Sequence, residues 1–325
     1  MSGSSNMTGK STSQPGPSLI ERAAEVYDFG TALRHGPAAA IAKPIPLVES
    51  VQAVEPEVAP VQALVEVTAE PDAGELHIVH ELRGERHLLD WATLNADGFV
   101  DPERPPTSLS EEFRIIKRQL LAQTFAADAT ARDRLVLINS AHPGDGKTWI
   151  TINLALSLSA ESDMEVLLID GDFGKPSIAT QLGLPDGPGF MDALADSSLD
   201  VADLVVRTDI PSLTVLRAGR QLHNDTEILA SERTRAVLNG LVKGHPRRIV
   251  LFDSPPALAA SAASELARHV GMVMLVVRAD WTSDAALRDA VQLLSACPNI
   301  RAVLNGVKFS SSGRLFGAYY KKRGD

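Results

Sequence analysis

Cysteine is nearly absent from this sequence: Cys297 is the single one in 325 residues. An intramolecular disulfide is therefore excluded, as is a cysteine-based zinc cluster built from this chain alone, and a reducing compartment fits. Cys297 has no identifiable catalytic partner and reads as a small packed apolar residue. Long apolar runs are missing as well. The strongest, at 272–277, falls far short of the ~20 residues that a membrane-spanning helix needs, so any membrane association is expected to be peripheral. The opening stretch, MSGSSNMTGKSTSQPGPS, lacks the continuous apolar core of a secretory signal. Positive charge is in deficit, with 31 Lys and Arg against 41 Asp and Glu for a net charge of −10, which gives no general attraction to nucleic acid. His77, His80 and His87 come without cysteine or acidic ligands at metal-binding spacing, so no metal site is expected from them.

Aromatic residues vanish between Gly30 and Asp90, where Pro37, Pro44, Pro46, Pro56, Pro60 and Pro71 interrupt an Ala/Val/Glu-rich background. Such a stretch has little large apolar surface to offset the entropy of ordering it, which predicts a long disordered N-terminal extension over 1–87. Within it, Ser18 precedes Leu19, Ala23 and Val26 at helical spacing and predicts a short marginal helix over 18–28. An ordered domain is expected over 88–308. Its first strong element is a helix over 110–123, capped by Ser110, with Phe113, Ile116 and Leu120 on one face. Glu111, Arg114 and Lys117 lie on the other side, where they can meet a partner. The remainder, 309–325, is polar and glycine-containing and predicts a mobile tail. It carries two adjacent tyrosines, Tyr319 and Tyr320.

From Arg134 onward, β-branched or Leu-rich runs at 135–139, 165–169, 213–216, 249–252, 273–277 and 301–304 alternate with amphipathic helical stretches. Continuous apolar strands separated by helices predict a doubly wound α/β fold around a mostly parallel sheet, with ligands at the C-terminal ends of the strands. The first strand runs into SAHPGDGKT at 140–148 and then a helix, which is the order of a P-loop. Glycines at 144 and 146 let backbone N–H groups approach phosphate oxygens, Lys147 reaches the β- and γ-phosphates, and Thr148 offers a hydroxyl to Mg²⁺. Pro143, Gly144, Asp145, Gly146, Lys147, Thr148 and Trp149 are thus the candidate ATP contacts. Ala141 stands where the strict pattern has glycine. Two further strands end in carboxylates, at Asp170 and Asp172 in LLIDGDFGKP (167–176) and at Asp253 in FDSPP (252–256), which predicts metal or proton chemistry beside the phosphates.

These motifs, with EEFRIIKR at 111–118, resemble the P-loop ATPases that carry a second acidic motif after the P-loop, the class of the partitioning and cell-division ATPases. Within that class they resemble the bacterial tyrosine kinases of polysaccharide export. LDWATLNADGFVDPE at 89–103 and the SLIERA segment at 18–23 look most like the exosortase-associated tyrosine autokinases. The resemblance covers about residues 88–325.

It implies an ATP- and Mg²⁺-dependent tyrosine autokinase, with Lys147, Asp170 and Asp172 catalytic and Asp170 a candidate base for the tyrosine hydroxyl. Thr148, Asp172 and Asp253 would serve the metal and Asn305 would contact adenine. Glu111, Arg114 and Lys117 match a Glu-x-x-Arg-x-x-Arg helix that contacts the next subunit of a ring, with Lys in the last place. Tyr319 and Tyr320 would be the phosphoacceptors, fewer than in many relatives. About 12 residues from Lys308 to Tyr319 extend to ~40 Å, enough to reach this site or a neighbour's. The implied partner is a membrane polysaccharide co-polymerase, which would recruit a cytoplasmic protein to the inner membrane. Two alternatives stand beside this reading: a non-kinase ATPase switch in which water accepts the phosphoryl group, and a binding module without turnover.

Overall fold

Apolar runs that read as strands because both of their faces are hydrophobic do form the centre of this protein. A computed structural model describes residues 82–307. The expected helix at 18–28, most of the N-terminal extension and the tail with Tyr319 and Tyr320 lie outside the described residues.

In chain order the elements are α1 (Trp91–Ala96), α2 (Ser108–Thr124), a 3₁₀ turn (Ala131–Arg134), β1 (Leu135–Ser140), α3 (Lys147–Ser159), β2 (Glu165–Asp170), α4 (Ile178–Gln181), α5 (Phe190–Ala195), α6 (Val201–Leu204), β3 (Val206–Arg207), β4 (Leu213–Leu216), α7 (Asp225–Leu229), α8 (Glu232–Val242), β5 (Arg248–Asp253), α9 (Ala262–Ala267), β6 (Met272–Arg278), α10 (Asp284–Leu293) and β7 (Ile300–Asn305). The sheet order is β3-β4-β2-β5-β1-β6-β7, parallel throughout except for the β3–β4 pair. Six strands lie where the apolar runs predict them. The short β3 has no such run, because two residues are too few to show a period.

Successive side chains alternate between the two faces of the sheet, so each face supports its own core. Leu135, Leu137, Leu167, Ile169 and Phe252 pack on one side, and Val136, Ile138, Leu168, Ile249 and Leu251 on the other. Burial of each such side chain contributes ~1.5–3 kcal/mol. No helix among the described residues is long and apolar enough to cross a membrane.

Three local expectations change. Residues 82–87 already pack against the domain, ahead of Leu88: Arg83 N–H donates to Ala202 O (2.7 Å), its guanidinium pairs with Asp200 and Asp203, and Arg207 N–H donates to Glu85 O (2.7 Å). Helix α2 is capped by Thr107 rather than Ser110. Ser110 N–H donates to Thr107 Oγ1 (3.1 Å) and Thr107 N–H to Ser110 Oγ (2.7 Å), a reciprocal capping box.

The third change concerns Lys117, which is buried instead of facing a partner. The buried stripe of α2 is Phe113, Lys117, Leu120 and Thr124, the i, i+4, i+7 and i+11 positions. Lys117 Nζ donates to Ser157 O (2.9 Å) and pairs with Glu161 (2.6 Å). Ser157 lies in the last turn of α3, where carbonyls lack intrahelical partners, so the lysine satisfies an otherwise orphaned acceptor. Glu111 and Arg114 form an ion pair on the more exposed side.

Candidate active site

The parallel strands β1, β2 and β5 end side by side, with Asp170 in register with Asp253. The P-loop leaves β1 and enters α3 through two left-handed glycines, Gly144 (φ +84°) and Gly146 (φ +96°). A Cβ at Gly144 would meet nothing within 4 Å, whereas one at Gly146 would come within 2.1 Å of Asn305 Nδ2. The first glycine thus keeps an open cradle and the second allows close packing behind it. With the N-terminus of α3 adding partial positive charge, the loop fits the phosphates of a nucleotide.

Lys147 Nζ lies 3.0 Å from Asp172 Oδ2 and 3.6 Å from Asp253 Oδ2. The Thr148 hydroxyl donates to Asp253 Oδ2 (2.6 Å), and Thr151 Oγ1 approaches Asp253 Oδ1 (3.3 Å). The expected lysine, hydroxyl and carboxylates therefore converge. Lys147, Thr148 and Asp172 border a cavity of about 620 Å³ that also includes Gly144, Trp149, Pro255 and Gln221 in its lining, and Asp253 lies buried behind them. Lys147, Thr148, Asp172 and Asp253 supply the cation, hydroxyl and oxygen ligands that a magnesium nucleotide requires. Burial pushes the Asp253 carboxyl up to about 7, with the Lys147 charge and the Thr148 hydroxyl opposing.

Asp170 differs from the general base that the resemblance implies. Its Oδ1 accepts Asp172 N–H (3.2 Å), and its Oδ2 accepts Ser177 N–H (2.9 Å) and Ile178 N–H (3.0 Å). Both oxygens anchor the turn that carries Asp172. Burial raises its pKa against these three backbone donors.

Other expected contacts also serve the loop itself. Asp145 is buried, and its carboxylate accepts His142 N–H (3.0 Å) and Thr282 Oγ1–H (3.2 Å). Asn305 donates to Asp145 O (2.9 Å), and Arg278 Nη1 donates to Gly144 O (3.0 Å). Asn305 in this structure braces the P-loop. The Trp149 ring lies edge-on to Phe113, with centroids 5.7 Å apart. His87 pairs with Gly183 O (3.0 Å).

Sequence reading overlooked Thr151, Arg278 and Thr282. Thr151 lies one turn after Lys147, a spacing that could have revealed it. Arg278 and Thr282 are 134 and 137 residues from their loop partners, and only the sheet order brings them there.

No family model matches the chain. Tyrosine-protein kinase YwqD of Bacillus subtilis is 30% identical over 220 residues, covering 67% of this chain and 89% of that protein. Tyrosine-protein kinase Wzc of Salmonella typhimurium is 30% identical over 173 residues, which are 53% of this chain and 23% of Wzc. The matched part of EpsB from Ralstonia solanacearum is also 23% of its length, so the chain spans about a quarter of these longer relatives. The kinase domain of the Escherichia coli tyrosine kinase ETK superposes with a TM-score of 0.56 at 26% identity, covering 74% of this chain and 96% of that domain. The BceF tyrosine kinase domain superposes with a TM-score of 0.51 at 28% identity, covering 59% and 76%. At 30% identity over 89% of YwqD, the chain belongs to the bacterial tyrosine-protein kinases.

Proposed function

We propose that this chain transfers the γ-phosphoryl group of ATP to tyrosine, with Tyr319 and Tyr320 as its own acceptors. The convergence of Lys147, Thr148 and Asp172 on one cavity beside an open glycine cradle, with the buried Asp253 in contact with both Lys147 and Thr148, carries the reading. Bound ATP and Mg²⁺ would supply an activated phosphoryl group and neutralise part of its charge. Lys147 would offset charge developing on the phosphoryl oxygens, while Thr148, Asp172 and Asp253 would hold the metal. Asp172, which lines the cavity beside Lys147, is better situated than Asp170 to receive the tyrosine proton. Asp170 acts by fixing the turn between them.

Transfer between copies within an oligomer agrees with the half-buried Glu111–Arg114 pair on the outer side of α2 and with the reach of the tail. The names of YwqD and Wzc carry only the kinase activity. A role in exopolysaccharide export, association with an exosortase system, and recruitment from the cytoplasm by a co-polymerase at the inner membrane rest on the sequence resemblance. Transfer between copies is tested by mixing full-length Lys147→Ala with a Tyr319→Phe/Tyr320→Phe variant, ATP and Mg²⁺. Tyrosine label on the Lys147→Ala chain is the expected result, and label confined to unmixed parent protein would overturn transfer between copies.

A further inference from the structure

Strand β7 ends the sheet opposite β3, and its outer edge has no neighbouring strand among the described residues. Val273 N–H donates to Asn299 O (2.9 Å) and Ala279 N–H to Asn305 O (2.8 Å). Alternation of the ladder between these bonds turns the backbone groups of Ile300, Ala302 and Leu304 to the open side. The strand is partly or fully exposed along its length, unlike the buried β1 and β5, and Leu304 is 61% exposed. A cavity of about 650 Å³ runs between α2 and this edge, with Ile116, Leu120, Met272, Met274, Val303 and Leu304 in its lining.

An open apolar edge is an aggregation liability that folded proteins cover. A strand that covers it beneath flanking helices carries apolar residues on both faces and reads as a continuous run. The next such run in the chain is Leu315-Phe316-Gly317-Ala318-Tyr319-Tyr320, preceded by the turn-forming residues Ser310-Ser311-Ser312-Gly313. At ~3.3 Å per residue, 314–320 spans ~23 Å against ~20 Å for β7.

We infer that residues 314–320 add an antiparallel strand to the open edge of β7 in their own chain and seat alternate side chains in the α2–β7 groove. Few residues separate Val307 from Arg314, so the run meets its groove at an effective concentration of ~mM, which a second copy at micromolar concentration does not match. One consequence rests on the kinase reading, although the docking itself does not. The docked run withholds Tyr319 and Tyr320 from the phosphoryl-transfer site. Phosphorylation of either brings nearly two negative charges to an apolar edge and expels the run.

Amide-resolved hydrogen exchange on the full chain tests the docking, with Lys147→Ala in every sample so that tail phosphorylation plays no part. The parent is compared with Leu315→Asp/Phe316→Asp in the run and with Leu304→Asp at the exposed edge. Exchange at Ile300, Ala302 and Leu304 is expected to be at least about tenfold slower in the parent than in the run variant, and faster at Ile300 and Ala302 in Leu304→Asp, unchanged by protein concentration. The β1 and β5 amides report on the fold in the same spectra. Equal exchange in all three proteins would overturn the inference, as would protection that rises with protein concentration, which assigns the edge to a second copy. Because no sample is active, either outcome leaves the kinase reading to its own test.

Discussion

The Thr148 hydroxyl donates to the Asp253 carboxylate across 2.6 Å, joining the first turn of α3 to the last residue of β5. Asp253 is fully buried, and burial pushes its carboxyl up from 3.8 to about 7. The ligand-free protein therefore binds more protons than the unfolded chain between those values. This group's contribution to stability is greatest below the unfolded pKa and declines as the pH rises through 7. Asp253→Asn should accordingly stabilise the ligand-free protein by ~2–4 kcal/mol at pH 8 and change it little near pH 4, read from denaturant midpoints. The same variant should lose phosphoryl transfer. Equal effects at the two pH values would contradict this account of the site.

Gly146 holds φ +96°, and a Cβ there would approach Asn305 Nδ2 to 2.1 Å. Gly146→Ala should therefore strain the loop and displace its brace, costing at least ~1 kcal/mol of stability and weakening nucleotide binding about tenfold or more. Asn305→Ala, which only removes the bond to Asp145 O, should have a smaller effect on both. Calorimetric titration with a non-hydrolysable ATP analogue measures the difference.

The legible parts of this protein were those in which a short string sets both structure and chemistry. The strand at 165–170 announces itself by an apolar run and its site by the carboxylate that ends it, and the P-loop by its glycines and lysine. Lys117 was not legible in the same way. A lysine in a helix is exposed by default, and its burial depends on an orphan carbonyl at Ser157, forty residues away. Asp170 and Asp172 look alike as letters. Only the turn at 171–178 separates a carboxylate saturated by backbone N–H groups from one that faces Lys147. Asn305 reaches the P-loop because β7 lies beside β6, a relationship of topology.

The two faces of α2 should separate in mutagenesis. Lys117→Ala leaves the Ser157 carbonyl without its donor and opens a small void, so it should destabilise the fold by ~1–3 kcal/mol. Arg114→Glu, on the exposed side, should leave thermal stability nearly unchanged and lower the oligomeric state seen by light scattering.

Asp170 and Asp172 should also separate. Asp170→Asn loses acceptors for backbone N–H groups and should lower stability by ~1–3 kcal/mol as well as activity. Asp172→Asn should retain stability and lose about a hundredfold or more in turnover. Paired unfolding and single-turnover assays distinguish the anchoring carboxylate from the reacting one.

Mapping phosphotyrosine after incubation of the full chain with ATP and Mg²⁺ bears most directly on the central claim. Label on Tyr319 or Tyr320 that disappears in Lys147→Ala is the predicted result. ATP hydrolysis with no tyrosine label, even with a co-polymerase partner present, would contradict it.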